Sequence, residues 1–182
     1  MIEDVLQQME EGFKKVVANH EKELARVRTG RANLALLDGL KVEYYGVPTP
    51  LNQVAAVAVA DPRLITIRPW EKKLIPAIEK AISAADLGLN PSNDGDIVRL
   101  PIPPLTTERR KELAKQVRRM AEEAKVALRN VRREHKSRLE KAEGLPEDDV
   151  KRALERIDKI TDDYVKKIDE INRDKEKEIM EI

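Results

Sequence analysis

The side chains of this 182-residue chain best placed to do chemistry are cations on a single stretch, Thr106 to Ala142. Lys111, Arg118, Lys125, Arg129, Arg132 and Lys136 recur at steps of four, seven and eleven. At 100° per residue they fall within an arc of about 60°. The row is about 38 Å long at 1.5 Å per residue. Guanidinium and ammonium groups fixed along a rod suit a line of phosphates, with charge-assisted hydrogen bonds for affinity and the planar arginine fork for geometry. A row of cations is also what an ordinary solvated helix face looks like. Here, however, the signs are sorted: Thr106 to Gly144 holds 13 Lys and Arg against 7 Asp and Glu, a net of +6. The residues before it sum to −1 over 1–30 and to 0 over 31–105, and those after it, 145–182, to −4.

Other chemistry finds little to work with. His20 and His135 fall on the apolar faces of their helices, without the spaced His or Glu partners that a metal or a proton relay needs, and read as packed residues. The pairs Glu122-Glu123, Asp148-Asp149 and Asp162-Asp163 are adjacent in sequence, so on a helix they diverge and cannot share one substrate. Ser83, Ser92 and Ser137 lack a nucleophile elbow, no glycine-rich phosphate loop is present, and the chain has no cysteine. No catalytic residue, metal ligand or cofactor is assigned. The five aromatics, Phe13, Tyr44, Tyr45, Trp70 and Tyr164, are scattered where a single-strand binder would gather them into stacking platforms. A basic rod of this kind fits folded RNA, which offers shape and phosphates more readily than base edges.

The rod needs elements to hold it. From Ile2 to Val27 apolar residues recur at three and four steps, predicting a helix that Gly30 closes with a positive φ. From Thr106, the predicted cap, to about Ala142 a second helix buries Leu113, Val117, Met120, Ala121, Ala124, Leu128, Val131 and Leu139, which leaves Arg132 well off the apolar face. After Gly144-Leu145-Pro146, with Glu147, Asp148 and Asp149 at its positive end, a third helix carries a seven-residue seam through Val150, Leu154, Ile157, Thr161, Tyr164, Ile168 and Ile171. That seam continues with lapses at Lys175 and Glu178 to Ile182. Three such helices can bury their stripes only against one another, as an antiparallel bundle.

Residues 31–105 hold nine of the ten prolines and four of the seven glycines, so they cannot be long helix. Leu40 to Tyr44, Val54 to Ala60, Leu64 to Arg68 and two short strands around Asn93-Asp94-Gly95 make about five strands, with one helix at Pro76 to Ala85. The expected fold class is α+β. A bundle of residues 1–30 and 106–182 carries an inserted small α/β domain, 31–105, on a two-stranded hinge, the whole elongated and two-armed. The hinge residues are Thr29, Gly30, Arg31 and Ala32 on one crossing and Pro103, Pro104 and Leu105 on the other. With 3% aromatic residues, 38% charged residues and a net charge of only +1, binding to a polyanion must come from the local patch. The acidic, amphipathic start and the absence of any apolar run of about 18 residues predict a soluble cytoplasmic protein without membrane contact.

Six stretches then match one family in order and spacing: Arg28-Thr29-Gly30-Arg31-Ala32; Leu36-Leu37-Asp38-Gly39; Val42-Glu43-Tyr44-Tyr45-Gly46 with Pro48-Thr49-Pro50-Leu51; Asp86-Leu87-Gly88-Leu89-Asn90-Pro91; Pro103-Pro104-Leu105-Thr106 with Glu108-Arg109-Arg110; and Arg129-Asn130-Val131-Arg132-Arg133. Across essentially its whole length the chain resembles the bacterial ribosome recycling factors. The resemblance implies a three-helix bundle with an inserted β/α/β domain, of transfer RNA size and outline. It implies a non-enzymatic factor that enters the post-termination ribosome and, with elongation factor G and GTP, separates its subunits and frees mRNA and tRNA. It implies large-subunit ribosomal RNA as the main contact, met by Arg132, Arg129 and Arg133. Lys125, Arg118, Lys111, Lys136, Arg110, Arg28 and Arg31 complete the expected RNA-facing set, and the factor is expected to act as a monomer. Two rivals remain at this point. A helical adaptor for another protein would show little salt-sensitive RNA affinity, and an RNA-processing enzyme would turn over by itself.

Overall fold

A computed structural model describes residues 1–181. In chain order the elements are α1 (Ile2–Ala25), β1 (Lys41–Tyr44), β2 (Val47–Pro50), a single turn α2 (Leu51–Val54), β3 (Ala55–Asp61), β4 (Leu64–Pro69), α3 (Ile75–Ala84), β5 (Ser92–Asn93), β6 (Val98–Pro101), α4 (Thr107–Glu140) and α5 (Glu147–Met180). They pack as two compact units, one of Met1–Leu24 with the chain from Lys111 onward, the other of Ala25–Arg110.

In the helical unit α4 runs against both other helices. Gly12 and Gln8 of α1 meet Val131 and Arg138 of α4, whereas Glu3 and Phe13 of α1 meet Arg156 and Tyr164 of α5. The core joins Val5, Leu6, Met9, Phe13 and Val17 to Ala121, Ala124, Leu128 and Leu139, and to Ile157 and Ile168. Phe13 is fully buried, its ring 5.1 Å from that of Tyr164. Further along, His20, Asn172 and Lys175 are buried and interrupt the apolar seam before Leu24, Leu113, Val117 and Ile179 resume it.

The α5 seam departs from the seven-residue repeat. Its buried residues are Ala153, Ile157, Thr161, Tyr164, Ile168, Asn172, Lys175 and Ile179, spaced 4-4-3-4-4-3-4. That is an eleven-residue period, 3.67 residues per turn, closer to a straight helix than 3.5 is. The stripe therefore drifts from Val150 and Leu154, both half-buried, onto their neighbours. Lys175 is consequently part of the buried face, where the heptad made it a lapse; Ile182, the expected end of the seam, lies outside the described residues.

The unit of residues 25–110 holds two antiparallel sheets, β1-β2 and β3-β4-β6-β5. Its core is Val42, Leu51, Val54, Ile65, Ile67, Ile75, Ile78, Ile82, Val98, Leu100 and Ile102. There are six strands where about five were expected. The extra one, β2, reads Val-Pro-Thr-Pro and pairs only with β1, so its prolines sit on an edge that asks nothing of their missing N–H groups. Tyr45 (φ 49°) and Gly46 (φ 81°) form the tight turn between them, both left-handed, as a two-residue hairpin loop prefers.

Gly30 does not close α1. The helix ends five residues earlier, at Ala25, and it is Asn33 whose amide donates to the Ala25 carbonyl at 3.2 Å while its Oδ1 accepts from the Ala35 N–H at 3.0 Å. One side chain thus caps α1 and starts the turn that follows. Gly30 keeps its positive φ, +80°, in the connection, where a Cβ would lie 3.5 Å from Leu105 Cγ. Backbone hydrogen bonds from Ala32 to Pro62 (2.7 Å) and from Ile102 to Arg63 (2.9 Å) tie both connections to the β3–β4 turn.

Candidate nucleic-acid interface

Helix α4 is started by Thr106, whose Oγ1 accepts from the Arg109 N–H at 3.1 Å, and runs unbroken for 34 residues because no glycine or proline interrupts it. Its cationic arc lies beside the buried seam and α5 borders it. The six cations, with Arg133 just outside their arc, consequently divide into two rows.

The inner row faces carboxylates of α5. Arg118 Nε donates to Glu176 at 2.8 Å, Lys125 Nζ meets Asp169 at 2.5 Å and Glu122 at 3.5 Å, and Arg132 Nη1 lies 3.6 Å from Asp158. The Asp169 hydrogen bond is the main cause that pushes the Lys125 ammonium above its ordinary pKa, with burial opposing it. Three of the cations expected to face RNA are thereby engaged by α5, whose acidic row cannot be read from α4 alone. Arg132 is also nearer the core than expected. It is half-buried, and its Nε is enclosed without a hydrogen-bond partner, because it occupies the position at which the 4-4-3 spacing of α4 brushes the seam between Leu128 and His135.

The outer row is open. Lys111, Arg129 and Arg133 are exposed and Lys136 half-buried, and among the described residues none of the four forms an ion pair. Lys115 and Arg119 are exposed on the same outward side and were absent from the sequence-derived set. At 100° per residue Arg133 and Lys115 lie about 40° beyond the outer edge of the arc. Only the position of α5 reveals that the accessible surface is rotated that way. Glu122 and Glu140 interrupt this face without reversing its sign.

Arg28, Arg31 and Arg110 belong to the other unit. Arg28 is half-buried; its Nη2 donates to the Pro103 carbonyl at 3.3 Å and its Nε is enclosed without a partner. Burial, and then the charge of Arg109, push its pKa below the ordinary guanidinium value. Arg31 is exposed and engaged in an interaction of its own. Arg110 is half-buried with an enclosed Nε. Of the residues expected at a hinge, Thr29 is buried, Pro103 and Pro104 are exposed, and Leu105 stands against Gly30.

The histidines serve structure. His135 Nδ1 donates to the Val131 carbonyl at 2.8 Å. His20 is 2% exposed with Nε2 unpartnered, and its burial holds the imidazole below its ordinary pKa, against the pull of Glu23 and Glu21. Among the described residues no three metal-capable side chains converge, and no helix is long and apolar enough to cross a membrane.

Among known proteins the chain has relatives along its whole length. The family model described as ribosome recycling factor matches residues 20–180. A ribosome-recycling factor of Nitratidesulfovibrio vulgaris is 55% identical over all of this chain and 99% of its own length, and one of Bacillus licheniformis 51% identical over the whole of both. A ribosome recycling factor solved in solution shares 45% identity and superposes with a TM-score of 0.79 over 100% of this chain and 98% of that one. Another match, at 47% identity, a TM-score of 0.67 and full coverage of both chains, is the ribosome recycling factor of T. thermophilus in a structure that places it and the elongation factor G of E. coli on the E. coli post-termination complex. With nearly every residue of the chain inside these matches, the α+β architecture and the basic α4 together belong to a member of the ribosome recycling factor family.

Proposed function

We propose that this chain binds the post-termination ribosome and, together with elongation factor G and GTP, splits it into subunits, releasing mRNA and tRNA. The observation that carries the reading is the open outer row of α4 in a chain that matches ribosome recycling factors from end to end. Arg129, Arg133 and Lys111 meet phosphates of large-subunit ribosomal RNA. Arg132 presents its unpaired Nη2 beside them, and Lys136 adds a screened contact. Lys125 and Arg118 belong to the same surface as its inner edge. Arg28, Arg31 and Arg110 act at the junction, where residues 29–32 and 103–105 form a hinge between a bundle of residues 1–30 and 106–182 and the insert, 31–105. The factor works as a monomer in the cytoplasm, and its work is binding and leverage without covalent chemistry.

Salt dependence tests the contact. If about five cations release counterions on binding, log affinity for isolated large subunits falls against log salt with a slope of about −4 to −5. Affinity that stays flat from about 50 to 300 mM salt removes RNA from the interface and leaves a protein-binding adaptor.

A further inference from the structure

The cations that α5 occupies are regularly placed. Arg118, Lys125 and Arg132 stand seven residues apart on α4, and Glu176, Asp169 and Asp158 answer them in antiparallel order on α5. At 100° per residue the three carboxylates themselves fall within about 20°. A single surface ion pair needs no explanation. Three in register, along the border of a surface otherwise open to phosphate, form a structure with a consequence for binding. A polyanion holds condensed cations from solution, and a protein cation that neutralises one of its phosphates releases them into bulk, which drives association. A cation already paired to a protein carboxylate brings little net charge to a phosphate and so displaces few of those ions. A phosphate that takes it merely exchanges one anion for another and leaves the carboxylate facing the backbone.

We propose that Asp158, Asp169 and Glu176 are specificity-determining residues, an internal set of phosphate competitors that withholds the inner cations of α4 from arbitrary polyanions. The inference rests on the reading of α4 as an RNA-facing surface. Folded RNA with phosphates fixed opposite Arg129, Arg133 and Lys111 loses little to the ladder, since the outer row and the unpaired Nη2 of Arg132 suffice. A flexible strand has no such register and gains affinity only by collecting every cation within reach, so the ladder costs it most. The three rungs differ in closure. Lys125 is the most committed, with its side chain 15% exposed between Asp169 and Glu122; Arg118, 68% exposed, is the most open. Arg132, at 3.6 Å from Asp158, is oriented more than neutralised.

The test compares two ligands, isolated large subunits and poly(U), across about 50 to 300 mM salt. Three full-length chains are used: the unaltered one, the triple variant Asp158→Asn, Asp169→Asn, Glu176→Gln, and a control with the same charge change on the far side of α5, Asp163→Asn, Glu170→Gln, Asp174→Asn. These control positions are exposed and, at 100° per residue, lie about 100 to 160° round the helix from the ladder carboxylates. For single strands each released cation adds about 0.7 to the slope and about fivefold to affinity near 0.1 M salt. The ladder variant is therefore expected to steepen the poly(U) slope by about 2 and to bind poly(U) about a hundredfold more tightly, while its affinity for large subunits changes less than about fivefold. Glu176→Gln alone, beside the most exposed cation, is expected to bind poly(U) about fivefold more tightly and serves if the triple variant melts early. A ladder variant no better than the control on poly(U), or one that gains equally on both ligands, overturns the proposal while the salt-dependent contact stands. An unaltered chain whose large-subunit binding is flat with salt overturns the RNA-facing reading and the proposal with it.

Discussion

Arg132 is where charge and geometry separate. Arg132 is half-buried, with Nε enclosed and Nη1 beside Asp158, so two of the guanidinium nitrogens are fixed by the fold while Nη2 has no partner among the described residues. Lysine keeps the charge but cannot copy the fork. Arg132→Lys is accordingly expected to weaken large-subunit binding measurably, and Arg132→Ala by about 1 to 3 kcal/mol, the scale of a charge-assisted hydrogen bond. Lys136→Ala should lose much less. Equal losses for the two alanine variants in equilibrium binding would leave only a diffuse basic surface. Because Asp158 is exposed and stays hydrated when its partner goes, melting should change little in either variant. His20 makes a different kind of prediction. Burial holds its folded pKa below the ordinary 6.5, so the unfolded chain binds the proton more readily. Its contribution to stability is complete above about pH 6.5 and is lost as the pH falls through the window towards the folded value. His20→Leu should flatten the pH dependence of melting between about pH 7 and 5. An unaltered slope in the variant would place the effect elsewhere.

Among the elements, the helices were readable and their faces only partly so. The three-and-four spacing of α1, α4 and α5, the Thr106 cap and the turn at Gly144-Leu145-Pro146 are local signals, and local signals survive tertiary packing. What could not be read was whatever depends on a neighbour. The seam of α5 follows an eleven-residue period through Asn172 and Lys175, two polar residues that a hydrophobicity pattern discards; the half-buried Arg132 and the α5 partners of Arg118 and Lys125 follow from the same packing. Likewise β2 was hidden by its prolines, harmless only because β1 is its sole partner. A further packing constraint surfaced at Gly12, in the middle of α1, where a Cβ would meet Val131 Cγ1 of α4 at 2.9 Å. Alanine there improves helix propensity by about 1 kcal/mol but pushes on a side chain stiff at χ1, an overpacking cost of about 1 to 3 kcal/mol. Gly12→Ala should therefore be neutral to destabilising by about 2 kcal/mol in urea unfolding, and adding Val131→Ala should remove the clash term. Independent, additive effects in that double-mutant cycle would contradict a close approach of the two helices at this point.

At the scale of the molecule, the two connections are the features on which a recycling motion would turn. Gly30 holds φ at +80° with Leu105 close by. Gly30→Val places a β-branched side chain in a left-handed conformation, at a cost of about 1 to 2 kcal/mol, and should impair recycling more than binding. Splitting at the normal rate by this variant would make Gly30 a replaceable residue of the connection. The proposed function as a whole is decided by one experiment, light scattering of post-termination ribosomes mixed with the purified chain. Scattering should fall as subunits separate when elongation factor G and GTP are both added with the chain, and should hold when either the chain or the factor is omitted. Scattering that stays constant with all components present, or that falls equally well without elongation factor G, would contradict the account.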